Sequence, residues 1–211
     1  MTLYEYKDKA ITTLKYPGSR EELGLRYVSL GLAGECGEIA EKLKKIIRDQ
    51  SCEITPSQKE DLIKEVGDVL WYIFGMQYEL DSYITDGTFS DIEEVATQGL
   101  IDHLKLPKEE DIKPHEWEGA FLEVTTQAII ASAFVGGIQI EIHPLIHTPD
   151  DYEKVNARKA ILQILEKVLF SLASITILLG VCSFEEAAQR NLDKLFSRKD
   201  RGVISGSGDD R

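Results

Sequence analysis

Two stretches of the chain decide its fold: LGLAGECGEIAEKLKK at residues 30–45 and KEVGDVLWYI at residues 64–73. Each stretch contains two acidic residues spaced i, i+3, and that spacing places both carboxylates of a pair on one face of a helix. The pairs are Glu35 with Glu38 and Glu65 with Asp68.

Apolar residues recur at helical spacing through both stretches, so we predict a long helix from about Glu22 to Asp49 and a second one that runs to Leu80. Thr55 is the predicted cap of the second helix, with Pro56 at its first position. Helices joined by a short loop usually lie side by side. Four carboxylates would then converge into a negative site that is tolerable only with bound cations.

The ordinary alternative for acidic residues on helices is a solvated face crossed by i, i+4 ion pairs. Glu35 and Glu65 have no basic residue at helical spacing, so this alternative does not account for them. Other acids fit it well: Glu38 can pair with Lys42, and Glu41 with Lys45.

The rest of the chain also predicts helices and almost no strand, which makes the fold class all-α, a helical bundle. The predicted helices cover residues 3–15, 116–136 and 151–179 and a segment that begins at Ser183, with a loop from His143 to Asp150 and Ser19 as the cap before Glu22. We predict one domain, residues 1–211, with an inserted helical or loop excursion at about 82–152, one short helix near Asp91 to Leu104, and a flexible tail at 202–211.

Composition narrows the possible partners. The net charge of −13 and the pI near 4.8 disfavour nucleic acid or an anionic membrane as the main partner. Three cysteines without a CxxC pair indicate reduced thiols, and the first residues lack a secretory signal, so we expect a cytoplasmic protein. The apolar run from Val168 to Cys182 is interpreted as a buried core helix because it is short for a membrane span.

A weak internal similarity links DVLWYI at 68–73 with KVLFSL at 167–172. It places Lys167 where Asp68 is and Ile164 where Glu65 is. If a two-helix repeat underlies this similarity, the second copy has lost its acidic ligands and serves packing or substrate contacts.

The two acidic stretches resemble the paired ExxE and ExxD signature of the MazG-like nucleoside triphosphate pyrophosphohydrolases, in the all-α NTP pyrophosphatase group that includes dimeric dUTPases. The segments TLKYPG at 13–18 and NLDKLFSRKDRG at 191–202 are similar to terminal segments of members. The sequence departs from many members at Gly34, where they have a glutamate. That acid is sometimes assigned to water activation.

The resemblance implies hydrolysis of a nucleoside triphosphate to the monophosphate and pyrophosphate. It also implies a homodimer or higher homo-oligomer, unless the second half of this longer chain supplies internally the contacts that a partner subunit supplies in relatives. It also implies Mg²⁺, with Mn²⁺ as a possible substitute, held by Glu35, Glu38, Glu65 and Asp68, with Glu38 as the candidate general base and Glu35 as a second catalytic acid. The predicted substrate-binding residues are Lys45, Trp71, Asn191, Lys194, Arg198 and Arg201, with Tyr72 as a further aromatic candidate.

Two other enzyme classes are excluded by missing motifs. A ferritin-like di-iron site needs Glu-x-x-His, which does not occur in this chain, and a P-loop nucleotidase needs GxxxxGK[ST], which is also absent. A non-catalytic bundle that binds nucleotide or regulates a partner remains the alternative function.

Overall fold

The computed structural model describes residues 1–83 and 117–202, and all of the regular structure in these two ranges is helical. The elements are α1 (Leu3–Ala10) with a 3₁₀ turn (Ile11–Thr13), α2 (Glu22–Gln50), α3 (Pro56–Leu80), α4 (Trp117–His147), α5 (Asp151–Leu179) and α6 (Phe184–Asp200). The all-α prediction is confirmed. The short helix expected near Asp91 to Leu104 lies outside the described residues, as does most of the expected tail.

Two helical hairpins form the body of the bundle. The first consists of α2 and α3, and the second consists of α4 and α5; α2 packs against α4, and α3 packs against α5. Helices α1 and α6 pack against α3 on the other side. The core between these elements is built from aliphatic side chains and a few aromatic ones, including Leu25, Leu32, Leu62, Leu70, Phe74, Ile138 and Leu165.

The helix boundaries follow local chemistry at most ends. Thr55 and Gln58 form a capping box in front of α3, and Ser183 accepts a hydrogen bond from the Glu186 amide at the start of α6. Gly180 ends α5 in the left-handed conformation with φ of 63°. The cap at Thr55, the helix start at Ser183 and the helix end at residue 179 were predicted from the sequence.

The start of α2 is fixed by a buried carboxylate rather than by the predicted Ser19 cap. Glu21 occupies the cap position without a side-chain hydrogen bond, and Ser19 donates to Glu79 of α3. Tyr16 Oη and the Arg20 amide also donate to Glu79, each over 2.7 Å. A fully buried glutamate is thus satisfied by the loop before α2, and it anchors that loop on α3.

Helix α4 is longer than predicted. It continues past residue 136 to His147, through Gly136 and Pro144, so the loop expected from His143 onward is helical up to His147. The burial of Ile138, Ile142 and Leu145 explains this result, because packing of these side chains offsets the lost backbone hydrogen bond at the proline.

Within residues 1–83 and 117–202, two helices are long and apolar enough to cross a membrane by length and composition alone: Phe121–His147 within α4, and α5. The apolar window of α5 is 61% buried inside the bundle, in line with its interpretation as a core helix, whereas the window of α4 is only 28% buried.

Candidate metal and phosphate site

Three of the four predicted acids meet where α2 packs against α3. Glu35 and Glu38 on α2 and Glu65 on α3 each offer a carboxylate oxygen, and these oxygens lie within 4.8 Å of one another. Glu65 is buried, Glu35 is half-buried and Glu38 is exposed at the rim. Such a set of oxygen donors has the chemistry that Mg²⁺ and Mn²⁺ prefer.

Electrostatics at this cluster favour a bound cation. Burial raises the pKa of Glu35 to about 8, and the negative charges of Asp68, Glu38 and Glu65 contribute in the same direction. Burial also raises the pKa of Glu65, although the ammonium of Lys42 opposes this effect. The protein alone does not neutralise the site, and a divalent ion among the carboxylates would relieve both effects.

Lys42 is a site residue that sequence reasoning missed. Lys42 Nζ reaches across to α3 and lies 3.0 Å from Glu65 Oε1. Its pairing with Glu38 on the same helix stays a prediction. The other predicted pair is confirmed, because Lys45 Nζ lies 3.3 Å from Glu41. The i, i+4 rule could not reveal the contact of Lys42 because it joins two helices.

Asp68, the fourth predicted acid, is held by α6. Lys194 Nζ lies 2.5 Å from both carboxylate oxygens, and Asn191 Nδ2 donates to Oδ1 over 2.8 Å. Asp68 is close enough to raise the pKa of Glu35, but its two carboxylate oxygens already bind the ammonium group of Lys194. The structure thus joins the predicted metal ligands to two of the predicted phosphate ligands.

Asn191 is fixed in place from two directions. Its Oδ1 accepts a 2.7 Å hydrogen bond from the buried Tyr6 hydroxyl of α1. Its side chain packs against Gly67, where a Cβ would come within 2.7 Å of Asn191 Cβ. Glycine at 67 is needed so that α6 can approach α3 closely beside Asp68. No sequence signal linked Tyr6 to this site, because 185 positions separate it from Asn191.

The two candidate aromatic residues have different surroundings. Trp71 Nε1 donates to Thr13 in the 3₁₀ turn over 2.9 Å, which ties the indole to the packing of α3 against the N-terminal segment. Tyr72 packs against α2 at Gly31, where a Cβ would come within 2.0 Å of the ring. Burial raises the pKa of the Tyr72 hydroxyl, and the nearby Tyr27 and Glu35 contribute. Tyr72 is thus the aromatic side chain close to the acids.

The remaining predicted ligands lie farther along the same helices. Lys45 is exposed on α2 beside Glu41, Arg198 is on the last turn of α6, and Arg201 follows that helix and donates to the Ser197 carbonyl over 3.2 Å. Cys36, between the two acids of α2, is buried, and burial raises its pKa to about 12. Cys36 is therefore a packing residue rather than a reactive thiol.

Comparisons with known proteins match this site to one family. A family model described as the MazG nucleotide pyrophosphohydrolase domain matches residues 25–99, which contain all four acids. The chain is also 39% identical over 102 residues to the Gene 37 protein of Mycobacterium phage L5, and the match covers 46% of this chain and 90% of the phage protein. No solved structure matches the chain significantly.

Proposed function

Because this chain belongs to the MazG nucleotide pyrophosphohydrolase family, we propose that it hydrolyses a nucleoside triphosphate between the α and β phosphates, with Mg²⁺ as its cofactor. Family membership itself supports nucleotide pyrophosphohydrolase activity in general and divalent-metal dependence with it. The products of the proposed reaction are the nucleoside monophosphate and pyrophosphate.

The observation that carries the proposal is the convergence of carboxylates beside a lysine and an amide that can bind phosphate. Glu35, Glu38 and Glu65 offer three oxygens within 4.8 Å of one another, and burial together with the neighbouring acids raises the pKa of Glu35. These residues fit a divalent ion with oxygen ligands, and Asp68 would complete the set once Lys194 moves away. When bound, the metal supplies charge neutralisation at the phosphates and an acidified water.

The residues of the site have distinct roles in this mechanism. Glu38, exposed at the rim of the cluster, accepts the proton from the attacking water as general base. Lys194 moves from the carboxylate of Asp68 to a phosphate oxygen, so the site keeps its charge balance when substrate binds. Asn191 stays anchored by Tyr6 and donates to the substrate or to Asp68.

Further residues are assigned to substrate binding within the same proposal. The cations of Lys45, Arg198 and Arg201 would contact the outer phosphates, and an aromatic ring would contact the base. Tyr72 is better placed than Trp71 for that contact, because it lies near Glu35 while the indole of Trp71 bonds to Thr13. We also propose a cytoplasmic homodimer that binds neither membranes nor, stably, nucleic acid.

Product analysis tests the proposed reaction. The protein is incubated with each ribo- and deoxyribonucleoside triphosphate and Mg²⁺ or Mn²⁺, and the products are resolved by anion-exchange chromatography. Monophosphate with pyrophosphate is the expected result. Diphosphate with phosphate would show a different reaction, and failure with every nucleotide would favour the non-catalytic bundle.

Variants test the assignment of the site. Glu35→Gln and Asp68→Asn each change a carboxylate to an amide of the same shape and should abolish turnover while circular dichroism shows unchanged helicity. Glu53→Gln, at an exposed glutamate in the loop between α2 and α3, is the matched control and should keep full activity. Full activity in either site variant would mean that the catalytic site lies elsewhere.

A further inference from the structure

Two histidines lie on adjacent turns at the C-terminal end of α4. His143 and His147 are four residues apart, and both are exposed. The sequence predicted a loop here, and in a loop the spacing of two histidines fixes no geometry. Because α4 continues through Pro144 to His147, the two side chains instead share one face of a helix.

The two imidazole rings are close together without being stacked. Their centres are 4.8 Å apart, and their planes are inclined at 58° to each other. Within the described part of the chain, no hydrogen bond or ion pair occupies a nitrogen of either ring. Both histidines therefore have nitrogens available to a ligand from solvent.

The separation of the rings is the one that a shared metal ion requires. An imidazole nitrogen lies about 1.1 Å from the centre of its ring, and a Zn–N bond is about 2.0–2.1 Å long, so each ring centre would lie about 3.2 Å from the ion. Ring centres 4.8 Å apart then subtend an angle of about 100° at the ion. This value lies between the angles of octahedral and tetrahedral coordination, so the two turns of α4 can present both nitrogens to one ion.

Imidazole nitrogens select a different class of ion from the carboxylates between α2 and α3. Nitrogen ligands suit Zn²⁺, Ni²⁺ and Cu²⁺, whereas carboxylate oxygens suit Mg²⁺ and Mn²⁺. Within residues 1–83 and 117–202, the only group of three or more metal-ligating side chains is Glu35, Glu38 and Glu65. The histidine pair therefore offers two ligands from the protein and leaves the other coordination positions to water.

We propose that His143 and His147 bind a divalent cation of the class of Zn²⁺, Ni²⁺ and Cu²⁺ through one nitrogen each. Such an ion joins the last two turns of α4 beside Pro144, which has no amide hydrogen to give to the helix. The C-terminal end of a helix also favours positive charge. The inference does not depend on the proposed reaction, because the two histidines lie outside the acid cluster and outside the segment that matches the family model.

A calorimetric titration with Ni²⁺ in excess Mg²⁺ tests this site on the full-length chain. Mg²⁺ competes for the carboxylates and leaves the imidazoles free. The wild-type chain should bind a single Ni²⁺, and Glu35→Gln should bind it with the same affinity. Loss of Ni²⁺ binding in Glu35→Gln would place the ion among the carboxylates and overturn the proposal.

Histidine variants test the two ligands separately. His143→Gln and His147→Gln each remove one ligand and should weaken Ni²⁺ binding by about tenfold or more. His103→Gln removes a histidine from elsewhere in the chain and is the matched control, which should bind Ni²⁺ like the wild type. Circular dichroism checks that each variant keeps its helicity. Equal weakening in all three variants would show unspecific binding to imidazoles and contradict a defined site.

A double variant tests whether the spacing of the pair is the cause. Adding Gln139→His to His147→Gln creates a new pair with His143, at the same spacing and one turn earlier, because Gln139 is also exposed. This variant should regain the Ni²⁺ affinity that His147→Gln loses. The proposal is wrong if the double variant binds no more tightly than His147→Gln, or if the wild-type chain binds no Ni²⁺ in excess Mg²⁺.

Discussion

Changing Glu35 to glutamine should stabilise the metal-free protein at alkaline pH while it removes activity. The pKa of Glu35 is raised from 4.5 to about 8 by burial and by three neighbouring acids, so the folded state binds this proton more tightly than the unfolded state does. The stability that this tighter proton binding contributes is fully present below the pKa of Glu35 in the unfolded state. It is lost as the pH rises through the pKa of Glu35 in the folded state.

A rise in the pKa of Glu35 from 4.5 to about 8 corresponds to a loss of at most about 5 kcal/mol in the free energy of unfolding as the pH rises. About 3 kcal/mol of this loss occurs between about pH 6 and about pH 9. Glu35 is only half-buried, so solvent screening reduces this difference to about 1–2 kcal/mol. Wild-type stability should therefore fall by that amount more than the stability of Glu35→Gln over the same range of pH. The glutamine variant keeps the shape of the side chain without its charge.

Urea denaturation in EDTA at the two pH values measures the effect, with Glu53→Gln as the control that should follow the wild type. Mg²⁺ added at the higher pH should stabilise the wild-type protein and have little effect on Glu35→Gln, because the ion needs that carboxylate. The reasoning fails if the two proteins show the same pH dependence, or if Glu35→Gln is the less stable protein at about pH 9.

Three further predictions concern neighbours of the acids. Lys194→Gln should tighten binding of Mn²⁺ to the substrate-free protein about tenfold while turnover falls, because a competing cation is removed from the aspartate; unchanged affinity in a calorimetric titration would contradict this. Gly31→Ala should destabilise the fold by about 1–3 kcal/mol, because its Cβ would overlap a tyrosine ring. Gly34→Ala, where a Cβ has open space, should stabilise the fold by about 0.5–1 kcal/mol. Thermal unfolding measures both glycine variants, and equal stability changes at the two positions would contradict the difference in packing. Tyr6→Phe should cost about 1–3 kcal/mol in urea denaturation, because a buried amide oxygen loses its donor; an unchanged midpoint would show that this oxygen finds another.

Periodicity and capping residues were sufficient to predict most helices. The i, i+3 spacing identified Glu35, Glu38 and Glu65, because the side chains of a helix have a fixed angular relation. Contacts between helices could not be predicted in the same way. Lys42 binds Glu65 and Tyr6 binds Asn191 through the packing of separate elements, and nothing in the local sequence specifies the partner.

Gly31, Gly34 and Gly37, three of the four glycines of α2, show the same limit. Glycine costs a helix stability, which favours a close approach by another group, and the structure shows such an approach at Gly31, where Tyr72 lies. At Gly34 and Gly37 a Cβ would have no neighbour within 4 Å. A repeated residue type can thus have different causes at successive turns, and only the packing distinguishes them.

The internal similarity gains weight from the second hairpin. The offset that relates Asp68 to Lys167 and Glu65 to Ile164 also relates Glu35 to Phe134 and Glu38 to Gly137. Two contacts join these four positions across α4 and α5: Lys167 Nζ lies 4.9 Å from the centre of the Phe134 ring, and a Cβ on Gly137 would lie 3.3 Å from Ile164 Cδ1.

The four positions that carry acids in the first hairpin are therefore close together again in the second hairpin. There they carry a lysine, two apolar residues and a glycine. This arrangement favours a repeated two-helix unit in which the second copy kept the geometry and lost the charge. Without carboxylates at these four positions, the second hairpin lacks the metal ligands of the first. It instead packs against the first hairpin, with α4 on α2 and α5 on α3.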